Sequence, residues 1–187
     1  MGDAVDAITD QWTKERPDLA ERLWPLHVLG RLQRLGQVLD KEFKAFAAGH
    51  GLELGEADVL ATLRRSGSPY ELTAGALLRE SMVTSGAITH RIDRMETKGL
   101  VERVRHGGDR RTVTIRLTDH GQRLIDDYIA GHLDNEARLL RAFGREECER
   151  LGDALRTLLE SLGDTAEGRR AHSRTRRSGL SHPADSG

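Results

Sequence analysis

The stretch that decides the fold reads TSGAITHRIDRMETKGLVERVRHGGDRRTVTIRL and covers residues 84–117. In its first half, apolar side chains recur every three or four residues, the spacing that places them on one face of a helix. These are Ile88, Ile92 and Met95. In its second half, residues 100–105 and 112–117 alternate between apolar and polar side chains, which is the period of a β-strand. A glycine-rich turn at 107–109 separates the two strands, so the stretch predicts a helix followed by a β-hairpin.

Helical periodicity continues on both sides of this stretch, and N-cap oxygens from Thr84 and Ser85 mark the start of the central helix. The other predicted helices cover residues 2–15, 25–49, 73–79, 118–140 and 146–162, and one more, marked by Val59, Leu60 and Leu63, stops at residues 66–69. Short helices followed by a hairpin are typical of a winged helix-turn-helix. We therefore expect a mainly α fold with a β-hairpin wing. Its predicted segments are N-terminal helices at 1–52, a winged helix-turn-helix at 53–117, C-terminal helices at 118–163 and a disordered basic tail at 164–187.

Composition excludes several classes of protein. Hydrophobic residues make up 37% of the 187-residue chain and charged residues 32%, which favours helices that bury part of their apolar surface against a partner. No apolar run is long enough for a membrane span, and no signal peptide is recognisable at the N-terminus. Cys148 is the single cysteine, so we expect a cytoplasmic protein without an internal disulfide. Enzyme motifs and metal-ligand spacings are missing from the sequence, so we expect no catalysis, no cofactor and no metal site.

Positive charge is concentrated where the helix and hairpin are predicted. The formal net charge of the chain is −1, yet residues 84–116 carry eight basic side chains against four acidic ones. A local basic patch on a helix and a wing favours DNA binding. The candidate DNA-contacting residues are Thr84, Ser85, Thr89, His90, Arg91, Arg94, Arg110 and Arg111. An ordinary charged helix face, in a winged-helix module that binds protein instead of DNA, is the alternative interpretation.

The same residues resemble a known family. The run from Thr84 to Glu96, the segment KGLVER at 98–103, the turn Asp109-Arg110-Arg111 and Leu117-Thr118 are similar to the signature of MarR-type transcriptional regulators. The resemblance implies a homodimer on palindromic double-stranded DNA, with the helices of 1–52 and 118–163 forming the dimer interface. It also implies that the Asp109 turn orders the wing and that a wing arginine enters the minor groove. Gly107 and Gly108 depart from the charged or proline-containing loop that is usual there.

A narrower resemblance concerns a small-molecule effector. A urate-responsive branch of that family carries an extra N-terminal helix, and this chain matches its ligand-binding residues at Trp12, Asp58, Arg91 and Arg103. The indole can stack on a planar ligand, and an arginine can pair with its negative charge. The resemblance implies a repressor that a small anion such as urate releases from its operator, with the ligand pocket in the N-terminal region. Citrate- or aconitate-like acids, or oxidants acting on Cys148, stay open as alternatives, as does a simple ion pair of Asp58 with Arg91.

Overall fold

A computed structural model describes residues 2–81, 88–105 and 113–165. The chain divides into two compact units, one up to Leu54 and one from Gly55 onward. The predicted N-caps Thr84 and Ser85, the turn at 107–109 and the tail from residue 166 lie outside the described residues. No helix in the described ranges is both long and apolar enough to cross a membrane. Within the same ranges, no three His, Cys, Asp or Glu side chains are grouped so that they could hold a metal ion.

The first unit consists of helix α1 (Ala4–Glu15), a 3-10 helix (Pro17–Arg22) and the long helix α2 (Leu26–Gly49). Asp3 caps α1 by accepting hydrogen bonds from the backbone N–H groups of Val5 and Asp6. Arg31 of α2 joins the two helices, because its Nε lies 2.8 Å from Asp3 Oδ2 and its Nη2 lies 2.6 Å from Asp6 Oδ1. The Arg31 guanidinium lowers the pKa of the Asp6 carboxyl by a direct hydrogen bond. The predicted helix at residues 2–15 is therefore present as α1, and ion pairs at its N-terminal end join it to Arg31 of α2.

The second unit holds the remaining elements. They are α3 (Leu54–Arg65), β1 (Glu71–Thr73), α4 (Ala74–Glu80), α5 (Ile88–Thr97), β2 (Val101–Arg105), β3 (Val113–Leu117), α6 (Asp119–Leu139) and α7 (Arg145–Ser161). The strands form an antiparallel sheet in the order β1-β3-β2, with Ile115 of β3 opposite both Leu72 and Arg103. The mainly α fold with a β-hairpin is confirmed. The third strand, β1, was not predicted, because three residues are too few to show a strand period.

The core of the second unit lies between the helices and the sheet. Its fully buried side chains include Leu60, Leu63, Leu77, Ile92, Met95 and Ile125. Ile92 and Met95 belong to α5 and, together with the nearly buried Ile88, form its inward face. Each fully buried aliphatic side chain of this kind stabilises the fold by roughly 1.5–3 kcal/mol. The central helix is therefore oriented by its apolar stripe, as the sequence predicted.

Several helices keep much of their apolar surface exposed. Among the described residues, α2 buries only Ala47 and α7 buries none. The large exposed hydrophobic residues of the helices outside the winged region include Ile8, Trp12, Val28, Leu29, Leu35, Val38, Leu133, Leu151 and Leu159. Apolar faces of this extent are usual where a chain contacts a partner.

A close approach of two backbone segments joins the sheet to α6. Thr118 caps α6 by accepting a hydrogen bond from Gly121 N at 3.0 Å, and its hydroxyl also donates to Gly99 O at 2.7 Å. A Cβ atom at Gly121 would lie only 2.0 Å from the carbonyl oxygen of Leu100. Because that obstacle is backbone, no side-chain movement can relieve it. The glycine is therefore required for α6 to begin against the end of α5.

We predict that Gly121→Ala lowers the free energy of unfolding by at least about 2 kcal/mol, because the backbone of Leu100 must shift to admit the methyl group. Gly75→Ala is the matched control: the nearest atom to its new Cβ is the mobile Arg79 Nη1 at 3.6 Å, and alanine favours the helix. Urea denaturation of both variants and of the unsubstituted protein measures the difference. Equal stability of the two variants would contradict the backbone contact.

Candidate nucleic-acid interface

The outward side of α5 carries the predicted base-reading residues. Thr89 and His90 are exposed in the first turn of the helix, and 49% of the Arg94 side chain is exposed. The buried residues of α5 lie on the opposite face. Thr84, Ser85, Arg110 and Arg111 lie outside the described residues. The structure thus places three of the predicted contacts on a solvent-facing helix surface.

One buried carboxylate lies on the flank of α5 that faces α3. Glu56, in the first turn of α3, has no exposed surface. Its Oε2 lies 2.7 Å from Lys98 Nζ, and its Oε1 lies 3.6 Å from Arg94 Nε. Because a buried carboxylate is costly without partners, these contacts hold both basic side chains close to α3. Glu56 was missed by sequence reasoning, since an acidic residue in a first helical turn is ordinary.

Arg103 of β2 binds the other acidic groups of α5. Its Nη2 lies 2.6 Å from Asp93 Oδ1, its Nη1 contacts Glu96, and its backbone N–H donates to Glu96 Oε1 at 3.1 Å. The hydrogen bond to Asp93 is the main reason that the pKa of Arg103 is raised. These three bonds connect the base of the hairpin to the central helix. Arg103, predicted as a ligand-binding residue, is therefore engaged with Asp93 and Glu96 in this structure.

The guanidinium of Arg91 lies against the first turn of α3. A Cβ atom at Gly55 would lie 2.7 Å from Cζ, Nε and Nη2 of Arg91, so the guanidinium lies directly on the glycine. Its Nε and Nη1 are buried and have no hydrogen-bond partner in the described part of the chain. Buried polar atoms are normally hydrogen-bonded, and a cationic donor has a strong need for an acceptor. Arg91 is therefore a cationic donor whose hydrogen-bonding capacity is not fully used in the described part of the chain.

The remaining predicted effector residues are divided between the two units. Asp58 is half-buried on α3 and lies three residues after Gly55, so the two positions share one face of that helix. Trp12 belongs to α1 of the first unit, and 49% of its surface is exposed. Gly55 was missed as a site residue because a single glycine in a helical pattern carries no distinct signal.

Ion pairs reduce the positive charge that the linear sequence indicates. Arg116 on β3 lies 2.7 Å from Glu102 and 3.9 Å from Glu71, while Arg94, Lys98 and Arg103 have the acidic partners described above. Glu56 and Glu71 come from outside residues 84–116, so counting along the stretch could not include them. The basic patch is therefore more nearly neutralised than its composition predicts.

Comparison with known proteins agrees with this arrangement. Residues 50–112 match the MarR family model. The regulator PecS of Dickeya dadantii is 38% identical over 143 residues, which cover 76% of this chain and 85% of PecS. The repressor MdtR of Bacillus subtilis is 31% identical over 116 residues, 62% of this chain and 73% of MdtR.

A solved structure shows the same fold. Sco3205 of Streptomyces coelicolor, a MarR family regulator determined in complex with DNA, superposes with a TM-score of 0.63 at 20% identity. The match covers 79% of this chain and 89% of Sco3205. The helix α5 and the β2–β3 hairpin are thus the recognition helix and wing of a winged helix-turn-helix, and the chain belongs to the MarR family of DNA-binding transcriptional regulators.

Proposed function

We propose that this chain is a homodimeric repressor that leaves a palindromic operator when a small anion binds beside Arg91. The observation that carries the proposal is the Arg91 guanidinium, whose Nε and Nη1 are buried without a hydrogen-bond partner in the described ranges. The DNA-binding part is common to the family. Dimerisation, repression and the response to an anion belong to this proposal.

Dimerisation is supported by the exposed apolar faces of the long helices. Val28, Leu35 and Val38 of α2 are about half exposed, and so are Leu133 of α6 and Leu159 of α7. Burying such apolar surface contributes about 25 cal/mol for each Å² and therefore favours association. Two copies related by a twofold axis would present two recognition helices, which matches a palindromic site with half-sites about one helical turn apart.

DNA reading is assigned to the outward side of α5. Thr89, His90 and Arg94 can reach base edges in the major groove, and Thr84 and Ser85 are proposed to contact the backbone phosphates at the helix start. The wing residues Arg110 and Arg111 are proposed to reach the adjacent minor groove. The repressor role follows from occupation of a promoter by such a dimer.

The anion site is assigned to Arg91 with Asp58 and Gly55 beside it. A planar anion such as urate can offer two acceptors to the edge of the guanidinium, and such paired hydrogen bonds are the strong ones. Gly55 leaves room for the Arg91 guanidinium because it has no side chain. Stacking of Trp12 on the ligand stays a prediction from the family resemblance.

Release of DNA follows from where the anion would bind. Arg91 is a residue of the recognition helix, so a ligand at its guanidinium acts directly on the element that reads DNA. The same anion would compete with Asp93 and Glu96 for Arg103 and would loosen the wing from α5. A coupling free energy of about 1–3 kcal/mol changes DNA affinity roughly 5- to 150-fold.

We predict that Arg94→Ala weakens operator binding by about 1–3 kcal/mol while its effect on unrelated DNA is smaller, because a base-edge contact is lost. Arg111→Ala should weaken binding to all sequences and reduce the salt dependence by about one phosphate contact. Mobility shifts with the DNA upstream of the gene, at several salt concentrations, measure both. If neither substitution alters DNA affinity, the protein-interaction module becomes the better interpretation.

Arg103→Ala should lower operator affinity about tenfold, equivalent to 1.4 kcal/mol, because the wing is no longer tied to α5. Its stability should change by less than about 1 kcal/mol, since the ion pairs are partly exposed. Arg145→Ala is the control: that side chain is 93% exposed, pairs with Glu149 and lies on α7. Thermal unfolding and DNA titration are measured together. A large loss of stability with unchanged DNA affinity would assign Arg103 a purely structural role.

Urate should release the operator complex, and Gly55→Ala should raise the urate concentration needed by about tenfold or more, because the new methyl group displaces the Arg91 guanidinium. Gly75→Ala is the control, with the same change of residue on a helix away from Arg91. A complex released by citrate or aconitate instead identifies a different acid at the same site. A complex that none of these acids releases, or a Gly55→Ala variant with an unchanged response, contradicts the Arg91 site.

A further inference from the structure

Glu56 differs from every other acidic side chain that the structure describes, because it is fully buried. It lies in the first turn of α3, where the helix dipole favours a negative charge. Its carboxylate is shared by two cations of the recognition helix, Lys98 at 2.7 Å and Arg94 at 3.6 Å. Neither the family resemblance nor the effector site uses this residue.

The two cations are held to different degrees. Lys98 directs its ammonium group onto Glu56 Oε2 although 40% of its side chain is exposed. Arg94 approaches Oε1 with its Nε edge, at a distance too long for a strong hydrogen bond. Lys98 is thus the principal counterion of the buried carboxylate, whereas Arg94 is only oriented by it.

The burial of Glu56 makes the ion pair with Lys98 persistent. A lysine in an exposed ion pair leaves its partner readily, because the pair contributes little. Moving Lys98 away from Glu56 would leave a carboxylate buried beside its weaker partner, which is strongly unfavourable. A DNA phosphate therefore competes poorly for this lysine, even though the residue follows directly on the recognition helix.

We propose that Glu56 is a specificity-determining positioning residue that withholds Lys98 from DNA phosphates and orients Arg94 toward the base edges. Non-specific DNA binding depends on the number of phosphate charges that basic residues neutralise. By keeping Lys98 internally neutralised, Glu56 lowers affinity for unrelated DNA without removing a contact that reads the operator. The ratio of specific to non-specific binding rises as a result.

The test is Glu56→Gln in the full-length protein, with binding to a random-sequence DNA duplex measured between about 50 and 200 mM salt. The neutral amide no longer holds Lys98, whose partly exposed side chain can reach solvent. We expect tighter non-specific binding, and a plot of log affinity against log salt that is steeper by about 0.9 for each bound protomer. Asp119→Asn, which removes the same charge from an exposed position in the first turn of α6, should leave the slope unchanged.

The Lys98→Gln variant is a second test, which does not require the Glu56 variant to fold. Because Lys98 contacts no phosphate in this proposal, its removal should leave the salt slope as it is. The double variant Glu56→Gln with Lys98→Gln should return to that same slope. A slope that falls in Lys98→Gln, or one that stays unchanged in a folded Glu56→Gln protein, overturns the proposal. A merely structural role for Glu56 would change the unfolding temperature and leave both slopes alone.

Discussion

The rest of the DNA-binding unit depends on the orientation of one ten-residue helix, α5. Ile92 and Met95 fix the inward side of that helix by complete burial. Its two flanks are fixed by charge, with Glu56 on the side of α3 and Arg103 on the side of the wing. Apolar packing determines which face of the helix points inward. The ion pairs on both flanks restrain rotation of the helix, and the spacing of two recognition helices in a dimer depends on its orientation.

The contact between α3 and α5 includes charged groups. Gly55 and Glu56 face Arg91 and Arg94 of α5 and Lys98, the residue that directly follows this helix. A well-packed apolar contact would resist displacement, because interiors are dense and deform with difficulty. A charged contact has another property, since an added anion changes its energy directly. An anion bound beside this contact, as proposed, would therefore act directly on α5.

The helices and the hairpin could be predicted because their hydrophobic periods are long and change sharply at Gly99. Strand β1 could not, because its three residues are ordered by pairing with β3, whose position only the folded chain defines. The basic patch was predicted at the correct elements but with too much charge, since Glu56 and Glu71 reach it from distant positions. Arg91 was predicted as a site residue from the family resemblance and stays a prediction, whereas the space that Gly55 provides for it is visible only in three dimensions.

The two proposals concern the same contact, the one between α3 and α5. Arg94 of α5 and Lys98, which directly follows that helix, meet one fully buried carboxylate, whereas Arg91 lies against the neighbouring Gly55. Lys98 takes one oxygen and Arg94 lies near the other, so the Arg91 guanidinium receives no bond from Glu56. An effector anion at Arg91 would complete the charge balance of this contact, and it would do so without displacing the ion pair that restrains non-specific binding.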